Sequence, residues 1–297
     1  MSIVETVIVH GEEYELIRDF KHDQDLRAAF NQLTQKVFQF DFEKWYQAGY
    51  WKGSYCPFAL MKADQCVANV SANILEFAWN GESKKVIQIG TVMTDPDYRH
   101  RGLSRFLMER VLKEFEEKTD FQYLFGGDDV VDFYPKFGFE PAEEIQCKGR
   151  IKRKGEVMQA RKLDLDQSDD LDLLLRIGNA KVLNAQVAMI GNFELNMFYC
   201  GFFIRDQLYY LPEVDAVAVA SIKEDHLLLY EVFAGNLICM EDVIQALMTE
   251  DEMDVSLGFS PVETAGFEQV TYKEEDRTLF MRGQRMGKVM FPLLSQA

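Results

Sequence analysis

The chain has 297 residues, 47% of them hydrophobic, and a formal net charge of −17. That length suits two domains with a sizeable core, and the charge argues against nucleic acid, whose phosphates such a surface repels. No apolar run approaches a membrane span and the first residues lack a signal-peptide pattern, so the expectation is a cytoplasmic protein with no membrane partner. Five scattered cysteines (Cys56, Cys66, Cys147, Cys200, Cys239) and four scattered histidines predict neither a disulfide framework nor a metal site. An acidic surface also favours the approach of cationic small molecules such as amines.

Residues 14–20 read as a first strand. Asp23 is placed to cap a helix carrying Leu26, Phe30, Leu33 and Val37 on one stripe. Residues 38–55 are dense in aromatics without a clean period, among them Phe38, Phe40, Phe42, Trp45 and Tyr55. They read as a loop with helical pieces, either a lid packed on the core or one wall of an acceptor pocket, two roles that can coexist. Residues 58–62 and 65–79 read as strands, Asn80 and Gly81 as a tight turn, and 84–94 as the returning strand. A helix is expected over 101–118, with Leu103, Leu107, Val111 and Phe115 one turn apart. A short buried strand follows at 121–125. Asp128 or Asp129 is then expected to cap a short helix that ends near 135–138, and strand resumes at Phe139.

The basic stretch 152–155 reads as a solvated boundary. Beyond it Ser168 is expected to cap a helix through Leu171, Leu174, Leu175 and Ile177. Residues 202–211, 216–222 and 227–233 read as strands, 240–247 as helix and 253–257 as strand. The segment AGFEQV at 265–270 echoes FGFE at 137–140, so the second half reads as a degenerate copy of the first. Two domains are expected, 1–152 and 153–297.

The most informative stretch is RHRGLS at 99–104. It joins a strand to an amphipathic helix through one glycine. Free backbone N–H groups and the positive end of the helix dipole meet there. Gly102 lets the backbone approach a bulky anion, and Arg99, Arg101 and Arg105 add positive charge to an acidic chain. The expected ligand is a pyrophosphate. The corresponding stretch of the second half, AGNLIC at 234–239, has no arginine.

The run VMTDPDYRHRGLS at 92–104 resembles the signature of the GNAT acyltransferase superfamily, Arg/Gln-x-x-Gly-x-Gly/Ala. A second block, DFYPKFGFE at 132–140, resembles the family's later Phe-Tyr-x-Lys-x-Gly-Phe segment, at the right separation. Ser104 stands where Gly or Ala is usual, and Gly127 where many members have Asn. The resemblance is close over the first half and loose over the second. Eis-type aminoglycoside acetyltransferases are loosely similar in tandem design and in the wording Arg-x-Arg-Gly-Leu, although this chain is shorter.

The resemblance implies an α/β (α+β) fold with a central mixed, mostly antiparallel sheet, followed by a second, degenerate GNAT-like domain. It implies acetyl-CoA as cosubstrate and no metal. Val92, Met93 and Thr94 would pair with the pantetheine arm, and Arg99, His100, Arg101, Gly102, Leu103, Ser104 and Arg105 would hold the pyrophosphate. Tyr134 matches the family's tyrosine that protonates the leaving thiolate. Asp128, Asp129, Glu76 and the C-terminal carboxylate of Ala297 remain open as the base. The implied activity is N-acetylation of a cationic small-molecule or peptide amine. The alternative is a non-catalytic acyl-CoA-binding sensor; a homo-oligomer is compatible with either.

Overall fold

The computed structural model describes residues 2–79, 81–155, 158–179, 184–284 and 287–296. The turn expected at Asn80 and the carboxylate of Ala297 lie outside the described residues. The chain opens with a hairpin of β1 (Ile3–Val9) and β2 (Glu12–Arg18), joined at His10 and Gly11, both at positive φ. Sequence patterning misses β1 because it is an edge strand in which only Val7 and Val9 are buried. Then come α1 (Gln24–Phe38) and α2 (Glu43–Gln47). Asp23 caps α1, accepting from the Asp25 and Leu26 N–H groups at 3.2 Å each. Strands β3 (Tyr55–Lys62), β4 (Gln65–Trp79) and β5 (Glu82–Thr94), helix α3 (Leu103–Phe115), and strands β6 (Phe121–Gly126) and β7 (Glu140–Ala142) complete the first run.

The second run holds β8 (Glu144–Lys152), β9 (Arg161–Lys162), α4 (Ser168–Gly178), β10 (Val187–Met189) and α5 (Phe193–Phe198). It continues through β11 (Leu208–Leu211), β12 (Ala216–Lys223), β13 (His226–Ala234), α6 (Met240–Leu247), β14 (Glu252–Leu257), β15 (Glu268–Tyr272) and β16 (Thr278–Gly283). Among the described residues no helix is long and apolar enough to cross a membrane.

Two mixed sheets result. The first runs β1-β2-β3-β4-β5-β6-β16-β7, with β10 added on β4; the second runs β15-β8-β14-β13-β12-β11-β9. Each contains one parallel pair, β5 with β6 and β13 with β14, crossed by a helix, α3 and α6. The order β3-β4-β5-β6-β16-β7 is thus repeated as β11-β12-β13-β14-β8-β15. The sheets exchange strands: β8, in the middle of the chain, lies between β14 and β15, and β16, late in the chain, lies between β6 and β7. The break expected at Lys152 falls at the end of a strand already paired in the second sheet.

Three local expectations are corrected. Residues 202–211 are not one strand: Tyr199–Phe203 is a π-helical turn and only Leu208–Leu211 is extended. The turn stays wound because Phe203 packs on Phe198 and Phe40, with ring centroids 5.0 and 5.8 Å away. Ser168 is the first residue of α4, and no side chain caps that helix. Neither Asp128 nor Asp129 caps the turn at Asp128–Val130; the Asp128 N–H donates instead to Asp276 Oδ1 at 2.7 Å, a partner from the far end of the chain.

Truncation after Lys152 removes β16 and with it the buried Leu279, Phe280 and Met281. The remaining fragment is expected to be insoluble, because β6 and β7 lose their common partner and an apolar face is bared. A soluble, cooperatively melting fragment 1–152 in size-exclusion and calorimetric scans would contradict the exchange.

Candidate functional site

Strands β5 and β6 pair only from Val86–Phe121 to Ile89–Leu124. Beyond that they part, and a cavity of about 840 Å³ opens between residues 90–94 of one and Phe125, Gly126 and Gly127 of the other. The parting begins at an irregularity. The β4–β5 register shifts between Asn69 and Ser71, and Thr91 takes the left-handed conformation at φ 49°. Such a bulge releases backbone groups from the ladder. A buried polar chain holds it in place. The Tyr55 hydroxyl meets Thr91 Oγ1 at 2.9 Å and accepts from Ser71 Oγ at 3.0 Å. Asn69 Nδ2 donates to Ser71 Oγ and to the Thr91 carbonyl, both at 2.9 Å.

Helix α3 points its N-terminus into the same cavity. Gly102 is its N-cap, at φ 76°, and no side chain caps it. The first intrahelical bond runs from the Phe106 N–H to the Gly102 carbonyl, so the N–H groups of Leu103, Ser104 and Arg105 have no acceptor within the helix. Gly102, Leu103, Ser104 and Arg105 all line the cavity, as do Arg99, His100, Val92, Met93 and Thr94. Thr94 Oγ1 and Ser104 Oγ, 2.6 Å apart, tie the end of β5 to the start of α3. Among the described residues no acidic partner is recorded for Arg99 or Arg105 at this rim. Free N–H groups at the positive end of a helix dipole are chemistry that favours an anion.

The turn before the helix is fixed from beneath. Asp95, 1% exposed, accepts from Lys36 Nζ at 2.8 and 2.9 Å, from Gln65 Nε2 at 2.9 Å and from the Asp97 N–H at 3.0 Å. Burial pushes its carboxyl up, but the Lys36 ammonium and the Asp97 N–H outweigh that and hold it below the usual value.

Two details differ from the sequence reading. Arg101 is not part of the cavity lining: it lies over the Tyr98 ring at 4.7 Å, pairs with Glu12 at 3.4 Å and donates to the Asp97 carbonyl at 3.0 Å. A side chain at Gly102 would strike protein before ligand. Its Cβ would sit 2.9 Å from His10 Cε1, on the β1–β2 turn.

Tyr134 lines the cavity beside this cradle and is 5% exposed. Its ring packs against Phe133, Phe139 and Phe280, and no described residue hydrogen-bonds its hydroxyl. Burial first, and the Asp129 charge second, push the phenol up to about 12, so it remains a proton donor across the neutral range. Gly126 makes room for it: a Cβ there would lie 2.7 Å from Tyr134 Cε2. Gly127 is similarly crowded, with Asp276 Oδ1 2.5 Å from where its Cβ would be. That carboxylate explains glycine where the family pattern has Asn.

Of the carboxylates singled out in the sequence that lie among the described residues, only Asp129 lines the cavity. Glu76 is bonded to Ser83 on the distal part of the β4–β5 pair, and Asp128 contributes its backbone. Asp276 lines the cavity and was missed; nothing local in the sequence marks a residue delivered by the strand exchange. The remaining wall is aromatic: Phe38, Phe40, Phe42, Trp45 and Tyr55 from the first half, and Phe198 from the second. Among the described residues no group of three or more His, Cys, Asp or Glu is placed to hold a metal ion.

A family model described as an acetyltransferase (GNAT) domain matches residues 21–142. Among solved structures, a conserved protein of unknown function from Enterococcus faecalis, described as a probable N-acyltransferase, is 12% identical. That likeness covers 95% of this chain and 72% of that one, with a TM-score of 0.55. A GCN5-related N-acetyltransferase from Kribbella flavida is 16% identical over 94% of this chain and 71% of its own, with a TM-score of 0.53. Eis1 from Mycobacterium abscessus is 11% identical over 94% and 73%, with a TM-score of 0.52. At these identities the likeness is one of fold, and it extends over both halves. No curated protein sequence matches the chain.

Gly126→Ala is expected to destabilise the protein by about 1–3 kcal/mol, because the Tyr134 ring has three aromatic neighbours and little room to retreat. Urea denaturation measures this. An unchanged midpoint would show that the ring is not held where the geometry has it.

Proposed function

We propose that the chain, whose residues 21–142 match a family model described as an acetyltransferase (GNAT) domain, transfers an acetyl group from acetyl-CoA to a primary amine by direct attack on the thioester. One observation carries the reading: the uncapped N-terminus of α3, the β5 bulge and the Tyr134 hydroxyl all open into one cavity. The chemistry of acetyl-CoA fits these residues. The unaccepted N–H groups of Leu103, Ser104 and Arg105, with Arg99 and Arg105, suit its pyrophosphate. The backbone groups freed at 91–93 suit the amides of its pantetheine arm. Held this way, the thioester becomes a fixed target.

The amine nitrogen bonds to the thioester carbonyl carbon, and the carbonyl becomes an oxyanion that backbone N–H groups of the bulge are suited to receive. The C–N bond stays, the C–S bond breaks, and the nitrogen gives up one proton. The departing thiolate takes a proton from Tyr134, which its raised pKa keeps protonated until that moment. Asp129 and Asp276 are the cavity carboxylates available to take the amine's proton. The products are the acetamide and free CoA.

Tyr134→Phe should lower kcat by roughly a hundredfold or more and leave KM for acetyl-CoA nearly unchanged, since the hydroxyl acts only as the thiolate leaves. Steady-state kinetics showing an altered KM with unchanged kcat would reassign the residue.

Calorimetry should find one CoA site per chain. In the second half the stretch 234–239 lacks arginine, and the gap beyond the last β13–β14 pair, Leu229–Leu257, is taken by the chain at Leu293, whose N–H donates to the Gly258 carbonyl at 2.9 Å. Gly102→Asp should abolish binding, because it drives a carboxylate against His10 and beside the phosphates. Two equivalent CoA sites, or unimpaired binding by this variant, would overturn the assignment. CoA binding without turnover of any amine would favour a sensor.

A further inference from the structure

The aromatic part of the cavity lies apart from the cradle at α3. The cradle at α3 and Tyr134 share one hydrophobic cluster, on the α3 face of the first sheet. Phe42, Trp45, Tyr55 and Phe198 belong to the cluster on the opposite face, against α1, with Phe40 packed on it. The cavity therefore reaches through the sheet where β5 and β6 part, and CoA entering at the cradle leaves the α1 side free.

That side is a preformed box. Phe42 stacks on Tyr55 at 5.0 Å and on Phe198 at 5.3 Å, and Trp45 lies edge-on to Phe198 at 5.8 Å. Phe38, 41% exposed, stands at its mouth and stacks on Phe40 at 6.0 Å. A polar group interrupts the apolar lining. Asn73 is 2% exposed, lines the cavity, and its Nδ2 is buried with no hydrogen-bond partner. With no hydrogen bond holding Nδ2, the carboxamide is free to turn and offer either end to a ligand.

We propose that the acceptor is an arylalkylamine, with its ring in this box and its amine at Asn73. The proposal rests on the N-acetyltransferase reading above. An aryl ring meets the box by edge and tilted contacts of the kind the box already makes with itself. A polyhydroxylated amine would bring hydroxyls against rings that offer no partner. The box also disfavours the charged form of the amine, which helps it reach the neutral state that attacks. A half-turn of the Asn73 carboxamide presents Oδ1, which accepts one amine N–H and leaves the nitrogen lone pair free.

The test uses the full chain with acetyl-CoA and compares phenethylamine, spermidine and kanamycin by thiol release. Phenethylamine binding is measured separately by calorimetry with CoA present. Phenethylamine should have the highest kcat/KM. Phe38→Ala, at an exposed position, should lower that kcat/KM about tenfold without weakening CoA binding. Asn73→Ala should raise KM for phenethylamine. A preference for spermidine or kanamycin overturns the proposal. So does a preference for hexanoyl-CoA over acetyl-CoA that Phe38→Ala abolishes, since the box would then hold the acyl chain. Calorimetric binding of phenethylamine, lost in Phe38→Ala, supports the box even if no amine is turned over, in which case only the catalytic reading fails. Absence of phenethylamine binding alongside turnover of another amine overturns the box and leaves the catalytic reading intact.

Discussion

The insertion of β16 between β6 and β7 is the contact on which the rest of this molecule depends. A strand from the end of the chain completes the sheet that carries the cradle, and a strand from the middle completes the other. Neither sheet closes without the other half. The insertion also furnishes the site. Phe280 of β16 lies under the Tyr134 ring at 5.5 Å, and Asp276, just before β16, receives the Asp128 N–H at the cavity wall.

A buried ion pair marks the crossing point. Arg277 Nη1 meets Glu144 Oε2 at 2.6 Å, and Glu144 Oε1 accepts from the Phe291 N–H at 3.1 Å. Glu144 begins β8, where the chain leaves the first sheet; Arg277 precedes β16, where it returns. Burial pushes the Glu144 carboxyl up, and the Arg277 charge only partly offsets this. The pair is therefore a modest source of stability. It accounts better for register: with both partners desolvated, a slipped β16 would strand a charge.

The two halves share an order of strands but not an opening. In the first, Thr91 in the left-handed region and its buried support turn β5 away from β6. In the second the parallel pair also stops, at Leu229–Leu257, but Leu293 packs beyond it, its N–H on the Gly258 carbonyl at 2.9 Å and its Cδ1 2.9 Å from the place a Gly258 Cβ would take.

Local chemistry was legible in the chain because it depends on neighbours in sequence. The Asp23 cap, the α3 stripe, the glycine at the turn into α3 and the two signature blocks all follow from spacing within a few residues. The repeat of the fold was legible in the order of elements and in the echo of 137–140 at 265–270. The exposed edge strand β1 was not legible, since its burial pattern is nearly flat, nor was the π-turn at Tyr199–Phe203, which is held by rings from α1's end and α5. Arg101 shows the limit within a motif: its position is as favourable as that of Arg99, but Glu12 and Tyr98 on other elements decide where its charge goes. Tertiary structure alone decided that Asp276 and Phe198 reach the cavity, that Asn73 is left unpaired in it, and that the halves trade strands. Those outcomes depend on hydrogen bonds and buried charge between residues more than a hundred positions apart, and no local pattern encodes such a pairing.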